Sequence, residues 1–201
     1  MSAQISINNF SNLVTSYKTA SGTKKTEIKN QIFSLFDNAN SVDFNSLNIQ
    51  IKGNFYLYIG LQNNVLQAIL VHSTTLPDIK QIDNYNPIVL DFKSNKFVAN
   101  QSLRTKLTAD NTQITHDEFI KRVKKWESYK STWVQNVLDK NTMISYFIID
   151  QSNFKNNSNN YCVLGIFENT EAPKGETFVI DFMTVNDGYM DRVRPVPPFR
   201  P

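Results

Sequence analysis

The amino-acid sequence predicts an α+β fold built from two related halves, each a helix, a strand, a connector and a β-hairpin. A helix-like opening with the same apolar spacing occurs twice, in residues 5–17 and 114–126. Each opening is followed by an aromatic strand broken by one glycine, in residues 55–61 and 161–167, and then by a second apolar run. Two such units would form a mixed or antiparallel sheet with the helices on one face.

The predicted helices carry the clearest periodicity. Residues 7–18 follow the i, i+3, i+4, i+7 stripe of an amphipathic helix. The apolar positions of this stripe are Phe10, Leu13, Val14 and Tyr17. In the second half, residues 116–130 predict a stronger helix, with Thr115 as its N-cap and Glu118 as the acid of a capping box.

Two segments near the start of the chain are harder to assign. Residues 32–36 fit either a helix or a strand. Because the corresponding residues 143–149 are rich in β-branched and aromatic side chains, we predict a strand in both halves. Residues 41–47 fit one short helix, and residues 88–92 are predicted as a further strand.

A β-hairpin is predicted in each half. Residues 55–72 contain two apolar runs around Asn63-Asn64, and asparagine tolerates the positive φ that tight hairpin turns require. The second hairpin has a longer loop, over residues 168–175. Gly60 and Gly165 lie inside the predicted strands, where a glycine indicates a bulge or a close approach by another part of the backbone.

The division into domains follows from a polar stretch in the middle of the chain. Residues 93–113 carry few large apolar side chains, which is typical of a connection between units. We therefore predict a first α+β unit over residues 1–95 and a linker over residues 96–113. The second α+β unit spans residues 114–201 and ends in a proline-rich tail.

The arrangement resembles a group of small, largely uncharacterised Bacteroidetes proteins. The residues that carry the resemblance are Tyr58-Ile59-Gly60, the apolar run of residues 68–71 and the tail of residues 194–199, which contains Pro-Pro-Phe. Cysteines that accompany the tail in that group are absent here, because Pro195 is followed by valine and Phe199 by arginine. The resemblance therefore implies no metal or redox role for this tail, and it implies no activity.

Composition and charge narrow the class of protein. A net charge of +3 is small for a strong nucleic-acid binder. Residues 1–5 lack the basic and apolar regions of a secretory signal, and no apolar stretch reaches the length needed to cross a bilayer. Cys162 is the single cysteine, so an intramolecular disulfide is impossible. We expect a cytoplasmic protein with no membrane partner, although export without a cleavable signal stays open.

No motif in the sequence indicates catalysis. His72 and His116 are the two histidines, and neither lies in a zinc-binding or calcium-binding spacing. Cys162 lies in an apolar run where a thiol is usually buried and inert. Alternation along the last long strand places Asp181 on a face that we expect to be solvated, with a buried carboxylate of raised pKa as the alternative. We expect no catalytic residue, no metal site and no cofactor.

The C-terminal tail is the most suggestive segment. Its prolines fix φ and lack N–H donors, which favours an extended conformation and excludes a helix or a central strand. Arginines flank its apolar ridge, as in peptide ligands that dock into aromatic grooves. We predict that it binds a partner, and the alternatives are a tail packed on its own domain or a disordered one. The predicted partner-binding residues are Arg192, Arg194, Pro195, Pro197, Pro198, Phe199 and Arg200.

The leading hypothesis is a non-enzymatic protein–protein interaction or self-assembly protein with a structural role. Its partner would be another copy of itself, or another protein bound through the tail. The first alternative is a small ligand-binding protein or enzyme with a cleft between the halves, where Asp181, Tyr161 and His116 would be examined first. The second is a weak nucleic-acid binder that uses the basic helix of residues 121–133, whose other interpretation is a solvated helix with Trp126 in the core.

Overall fold

The computed structural model describes residues 2–45, 53–94, 114–154, 160–168 and 178–185, together with the backbone of residues 189–190 and 194–196. The predicted linker of residues 96–113 and the predicted partner-binding residues Arg192, Pro197, Pro198, Phe199 and Arg200 lie outside these described residues. The fold is α+β, as the sequence predicts.

Three α-helices and nine β-strands are present in the described residues. In the first part of the chain they are α1 (Ala3–Thr19), α2 (Gly22–Asp37), β1 (Ser41–Asp43), β2 (Asn54–Gln62), β3 (Val65–Ser73) and β4 (Ile88–Lys93), with a 3-10 helix at Ile79–Tyr85. In the second part they are α3 (His116–Asp139), β5 (Tyr146–Asp150), β6 (Tyr161–Glu168), β7 (Phe178–Val185), β8 (Tyr189–Met190) and β9 (Arg194–Val196), with a short 3-10 helix at Gln151–Asn153.

All nine strands belong to one sheet, in the order β8-β7-β6-β1-β4-β3-β2-β5-β9. Every pairing among the described strands is antiparallel, so of the two predicted kinds of sheet, mixed or antiparallel, the structure has the antiparallel one. The sheet curls strongly, and its two ends approach until β9 contacts β7. Because β1 pairs with β6 and β2 with β5, strands from both predicted units are joined in the same sheet.

Two local predictions are wrong. Residues 32–36 belong to α2 rather than to a strand, because Ile28, Ile32 and Phe36 fall on one helical face that is buried in the main core. The short helix predicted over residues 41–47 is contradicted at residues 41–43 by β1, which pairs with β6 over three residues and with β4 over two, and residues 46–47 lie outside the described residues. Pairing of β1 with the distant strands β4 and β6 outweighs the local helical propensity of these residues.

The helices and hairpins predicted from periodicity are confirmed. The side chain of Thr115 accepts a hydrogen bond from the backbone N–H of Glu118 at 3.2 Å, so Thr115 is the N-cap of α3. Between β2 and β3, Asn63 and Asn64 have φ of 51° and 59°, as a two-residue hairpin turn requires. β6 and β7 pair over their full length as the second hairpin.

Apolar side chains fill both sides of the sheet. On one face, Leu57 and its neighbours join α2 and the tryptophans of α3 in the main core. On the other face, Tyr58 packs with Ala3 and Ile7 of α1. The helices therefore contribute to both faces of the sheet rather than to one, because α1 is long enough to reach from one apolar cluster to the other.

None of the helices in the described residues is long and apolar enough to cross a membrane.

Candidate functional site

The two ends of the sheet approach each other at the last strands of the chain, at a place that we call the seam. The seam consists of β8 and β9 and of the two strands that they join, β7 and β5. β8 pairs with the end of β7 through Thr184 and Val185. β9 pairs with β5 through Tyr146, Phe147 and Ile148. The final stretch of the chain therefore bridges the two ends of the sheet.

The interior beneath the seam is apolar and packed. The rings of Phe147 in β5 and Phe182 in β7 lie 5.1 Å apart between their centroids, and both side chains are buried. Tyr146 is also buried, on the opposite face of β5. The buried side chains of β5 and β7 therefore fix these two strands in the core, and this packing does not depend on the strand that lies along the outer edge of each.

The pairings of the two terminal strands at the seam are short. β8 is paired over two residues and β9 over three, whereas β5 is paired with β2 over five residues on its other side. Pro195 lies in the middle of β9 and has no N–H to donate. Proline in a sheet is confined to edges, so its presence fits the terminal position of β9.

Only two of the predicted partner-binding residues fall in the described part of the chain. Arg194 and Pro195 belong to β9, where the backbone is extended as the tail prediction requires. In this structure, the backbone of residues 194–196 pairs with its own chain, which is one of the alternatives considered for the tail. Partner binding by the seven predicted residues stays a prediction.

A second candidate site lies on the exposed face of β4, which we call the open face. It comprises Val65 and Gln67 of β3 and Val89, Asp91 and Lys93 of β4, which alternate onto one side of the sheet. Although β3 and β4 both lie inside the sheet and not at its ends, Val65 of β3 is 51% exposed and Val89 of β4 is 39% exposed. The sequence signal that could have indicated this site is the placement of Val89, Asp91 and Lys93 at every second position of β4. The prediction of partner binding by the tail did not consider this signal.

A groove of about 480 Å³ runs over part of the open face. The amide of Gln67 donates to the Oδ1 atom of Asp91 at 2.9 Å, which holds both side chains in place at its base. The turn residues Gln62 and Asn63 add further polar groups to the lining, and Lys93 adds a cation. The groove can accept a polar ligand or a polar segment of a partner.

The structure does not bring Asp181, Tyr161 and His116 together in a cleft. Asp181 lies opposite Gly165 in the β6–β7 hairpin, four residues along the strand from Tyr161 on the same face. An apolar cluster of Phe119, Val123, Val163 and Met183 fills the space between them. His116 lies in the first turn of α3. The alternative of a cleft between the halves built on these residues therefore receives no support from their positions.

Asp181 is buried rather than solvated, and it belongs to an ion-pair network that sequence reasoning missed. Its Oδ2 atom accepts from Nη1 of Arg122 at 2.6 Å. The Nε atom of Arg122 donates to Glu118 at 2.9 Å, and its guanidinium lies 4.6 Å from the ring centroid of Phe167. The i, i+4 spacing of Glu118 and Arg122 was the available sequence signal. Gly165 lacks a Cβ where one would lie 3.0 Å from Arg122, which confirms the predicted close approach.

Several cations of the basic helix of residues 121–133 make contacts within the molecule. Lys125 contacts Glu168 at 3.2 Å, and Lys130 donates to the backbone oxygen of Asp37 at 2.8 Å. Trp126 is fully buried and donates to the backbone oxygen of Ala39 at 2.9 Å. These contacts match the interpretation of a solvated helix with its tryptophan in the core.

Two further titratable side chains, Cys162 and Tyr58, are buried. Cys162 is buried, as predicted, and this burial raises the pKa of its thiol well above the usual value. Burial likewise raises the pKa of Tyr58, next to the neighbouring tyrosines Tyr146 and Tyr56. Within the described ranges, no group of three or more histidine, cysteine or acidic side chains is placed to hold a metal ion.

No protein-family model, curated protein or solved structure matches the chain. Function is therefore inferred from the seam and the open face.

Proposed function

We propose that the chain is a non-enzymatic protein–protein interaction or self-assembly protein that associates through its C-terminal segment. The observation that carries the proposal is the seam, where a short terminal strand is paired with the edge of β5, a strand whose Tyr146, Phe147 and Ile149 side chains are buried. A strand edge of this kind binds extended segments through main-chain hydrogen bonds, which is a common mode of protein recognition.

The test is a truncation that removes residues 192–201, combined with light scattering over a wide range of protein concentration. We expect the full-length chain to gain mass as its concentration rises and the truncated chain to lose this behaviour. A matched control is the substitution Lys24→Glu, which changes an exposed charge on α2 far along the chain from the seam. A full-length chain that stays monomeric at every concentration contradicts self-assembly.

We also propose that the two halves of the chain are related. The same number of residues separates Val42 from Phe147 as separates Leu57 from Cys162, and these residues pair as Val42 with Cys162 and Leu57 with Phe147. Each half thus lends one strand to the hairpin of the other half.

The two hairpin glycines support the same relation. Gly60 and Gly165 are separated by that same interval, and a Cβ at either position would strike the end of a side chain on the next strand, Ile69 or Met183. Each glycine also lies beneath a helix, α1 or α3. An experimental structure in which the two helix-covered hairpins differ in register would contradict the relation.

A second candidate function is ligand binding in the groove of the open face. The observation that favours it is the hydrogen bond between Gln67 and Asp91, which places a fixed carboxylate and amide at the base of a concave surface. Screening small polar compounds by nuclear magnetic resonance would show shifts at Gln67, Asp91 and Lys93. Asp91→Leu should abolish those shifts, while shifts elsewhere on the protein would exclude this groove.

A further inference from the structure

We propose that two copies of this chain exchange their C-terminal strands, so that β9 of one copy pairs with β5 of the other. This inference rests on the proposed self-assembly and names its partner and its contact. The acceptor is the outer edge of β5 at Tyr146, Phe147 and Ile148, and the donor is the segment Arg194–Val196.

The acceptor strand is held in place independently of the donor. On its inner edge β5 pairs with β2 over five residues, and Tyr146 and Phe147 are buried. If β9 leaves, the outer edge of β5 keeps its position but loses partners for its backbone N–H and C=O groups. Such an edge is a template on which an extended segment of matching register can pair.

A second copy supplies that segment with the register already established. Its residues 194–196 are identical in sequence, so each pairing made within one chain can be made between two chains. The free-energy difference between the two arrangements then lies in the path of the connection and in the effective concentration of the donor. Because only three residues of β9 are paired, the strand has few backbone contacts to break before it exchanges.

The place of β9 in the sheet also fits a removable strand. β4 lies between β1 and β3 and pairs with both of them. β9 lies between β5 and β7, but it pairs with β5 and only contacts β7. Given the proposed relation between the halves, β9 holds the position of β4 with fewer backbone pairings.

Pro195 limits what the exchange can build. A proline has no N–H, so β9 cannot offer a complete edge to a further strand. Exchange therefore joins copies through reciprocal strands instead of extending one sheet by repeated edge-to-edge addition.

The test uses disulfide formation between separately tagged chains. One chain carries Ile148→Cys and the other carries Arg194→Cys, which are partner positions of β5 and β9. Both carry Cys162→Ala, so that the natural buried thiol is absent. The two proteins are unfolded in urea, mixed, refolded together and oxidised, and we expect a disulfide-linked species that carries both tags.

The matched control places the cysteines at Asn54 and Ser73, which are partner positions in the β2–β3 hairpin. This hairpin is not exchanged, so a mixture of Asn54→Cys and Ser73→Cys chains should yield no species with both tags. A single chain with both Ile148→Cys and Arg194→Cys verifies the register. If that chain forms no disulfide, either internal or between copies, the pairing of β5 with β9 is wrong and the proposal is overturned.

Light scattering of the unmodified protein distinguishes a failure of strand exchange from a failure of self-assembly. If the protein self-associates but the Ile148 and Arg194 chains form no joint disulfide, strand exchange is refuted and self-assembly through another surface stands. If the protein is monomeric at every concentration, both proposals fail. Equal cross-linking in the test and control mixtures also refutes exchange, because it shows contacts without register.

Discussion

The buried ion pair between α3 and the β6–β7 hairpin makes the sharpest stability prediction. Arg122 and Asp181 are 6% and 4% exposed, and their side chains meet at 2.6 Å. In Asp181→Ala the guanidinium stays buried without the carboxylate of Asp181. Removing one member of a buried pair typically costs about 3–5 kcal/mol, because the other charge is left without compensation.

The structure places the expected loss at the lower end of that range. Glu118 remains 2.9 Å from Nε of Arg122, and its side chain is 32% exposed, so one partly solvated carboxylate still balances the charge. We expect Asp181→Ala to lower the free energy of unfolding by about 3 kcal/mol. In the double variant Arg122→Met with Asp181→Leu, apolar side chains fill the same space, and most of the loss should be recovered.

Urea unfolding at a fixed protein concentration measures these differences from the midpoint and slope of the transition. The control is Glu168→Ala, which removes the partner of Lys125 from a pair whose side chains are 27% and 43% exposed. Surface pairs contribute about 1 kcal/mol or less, so this variant should stay close to the original protein. If Asp181→Ala loses no more than Glu168→Ala, the burial of the Arg122 charge does not matter to stability and our reasoning is refuted.

Three further outcomes follow from particular contacts. Gly60→Ala would place a Cβ 2.5 Å from Cδ1 of Ile69, and the resulting overpacking should lower the free energy of unfolding in urea by about 1–3 kcal/mol. An unchanged free energy of unfolding would mean that the close approach is absent. The hydrogen bond from Tyr17 holds the pKa of Asp139 below its usual value, so this contact stabilises the fold above the unfolded-state pKa of Asp139, and the stabilisation is lost as the pH falls through the folded-state pKa. In Tyr17→Phe, a nuclear magnetic resonance titration should find the pKa of Asp139 raised, and an unchanged value would count against the contact. The Cys162 thiol should react with a thiol reagent in urea but not in the folded protein, and rapid labelling of the folded chain would contradict its burial.

Strand exchange at the seam and ligand binding on the open face involve different residues, so variants at one surface should not affect measurements at the other. Variants of Asp91 or Lys93 leave the β5 edge untouched, so they should not alter cross-linking between Ile148→Cys and Arg194→Cys chains. Variants of the tail should not alter ligand-induced shifts in the groove. The two candidate surfaces can therefore be tested independently of each other.

Elements whose signals are local can be predicted from the amino-acid sequence alone. The stripe of α1, the N-cap Thr115 of α3 and the Asn63-Asn64 turn are confirmed, because each depends on side chains within one or two turns of the chain. The extended backbone of the C-terminal segment at residues 194–196 follows equally from its prolines.

Features that depend on distant partners could not be predicted from local signals. Residues 32–36 are helical because their apolar face meets the core, and residues 41–43 form a strand because β4 and β6 lie on both sides of them. The burial of Asp181 depends on an arginine from another element, and the seam depends on the curl that brings β9 to β7. Periodicity reports which side chains seek burial, but the free energy of pairing between remote segments selects where they are buried.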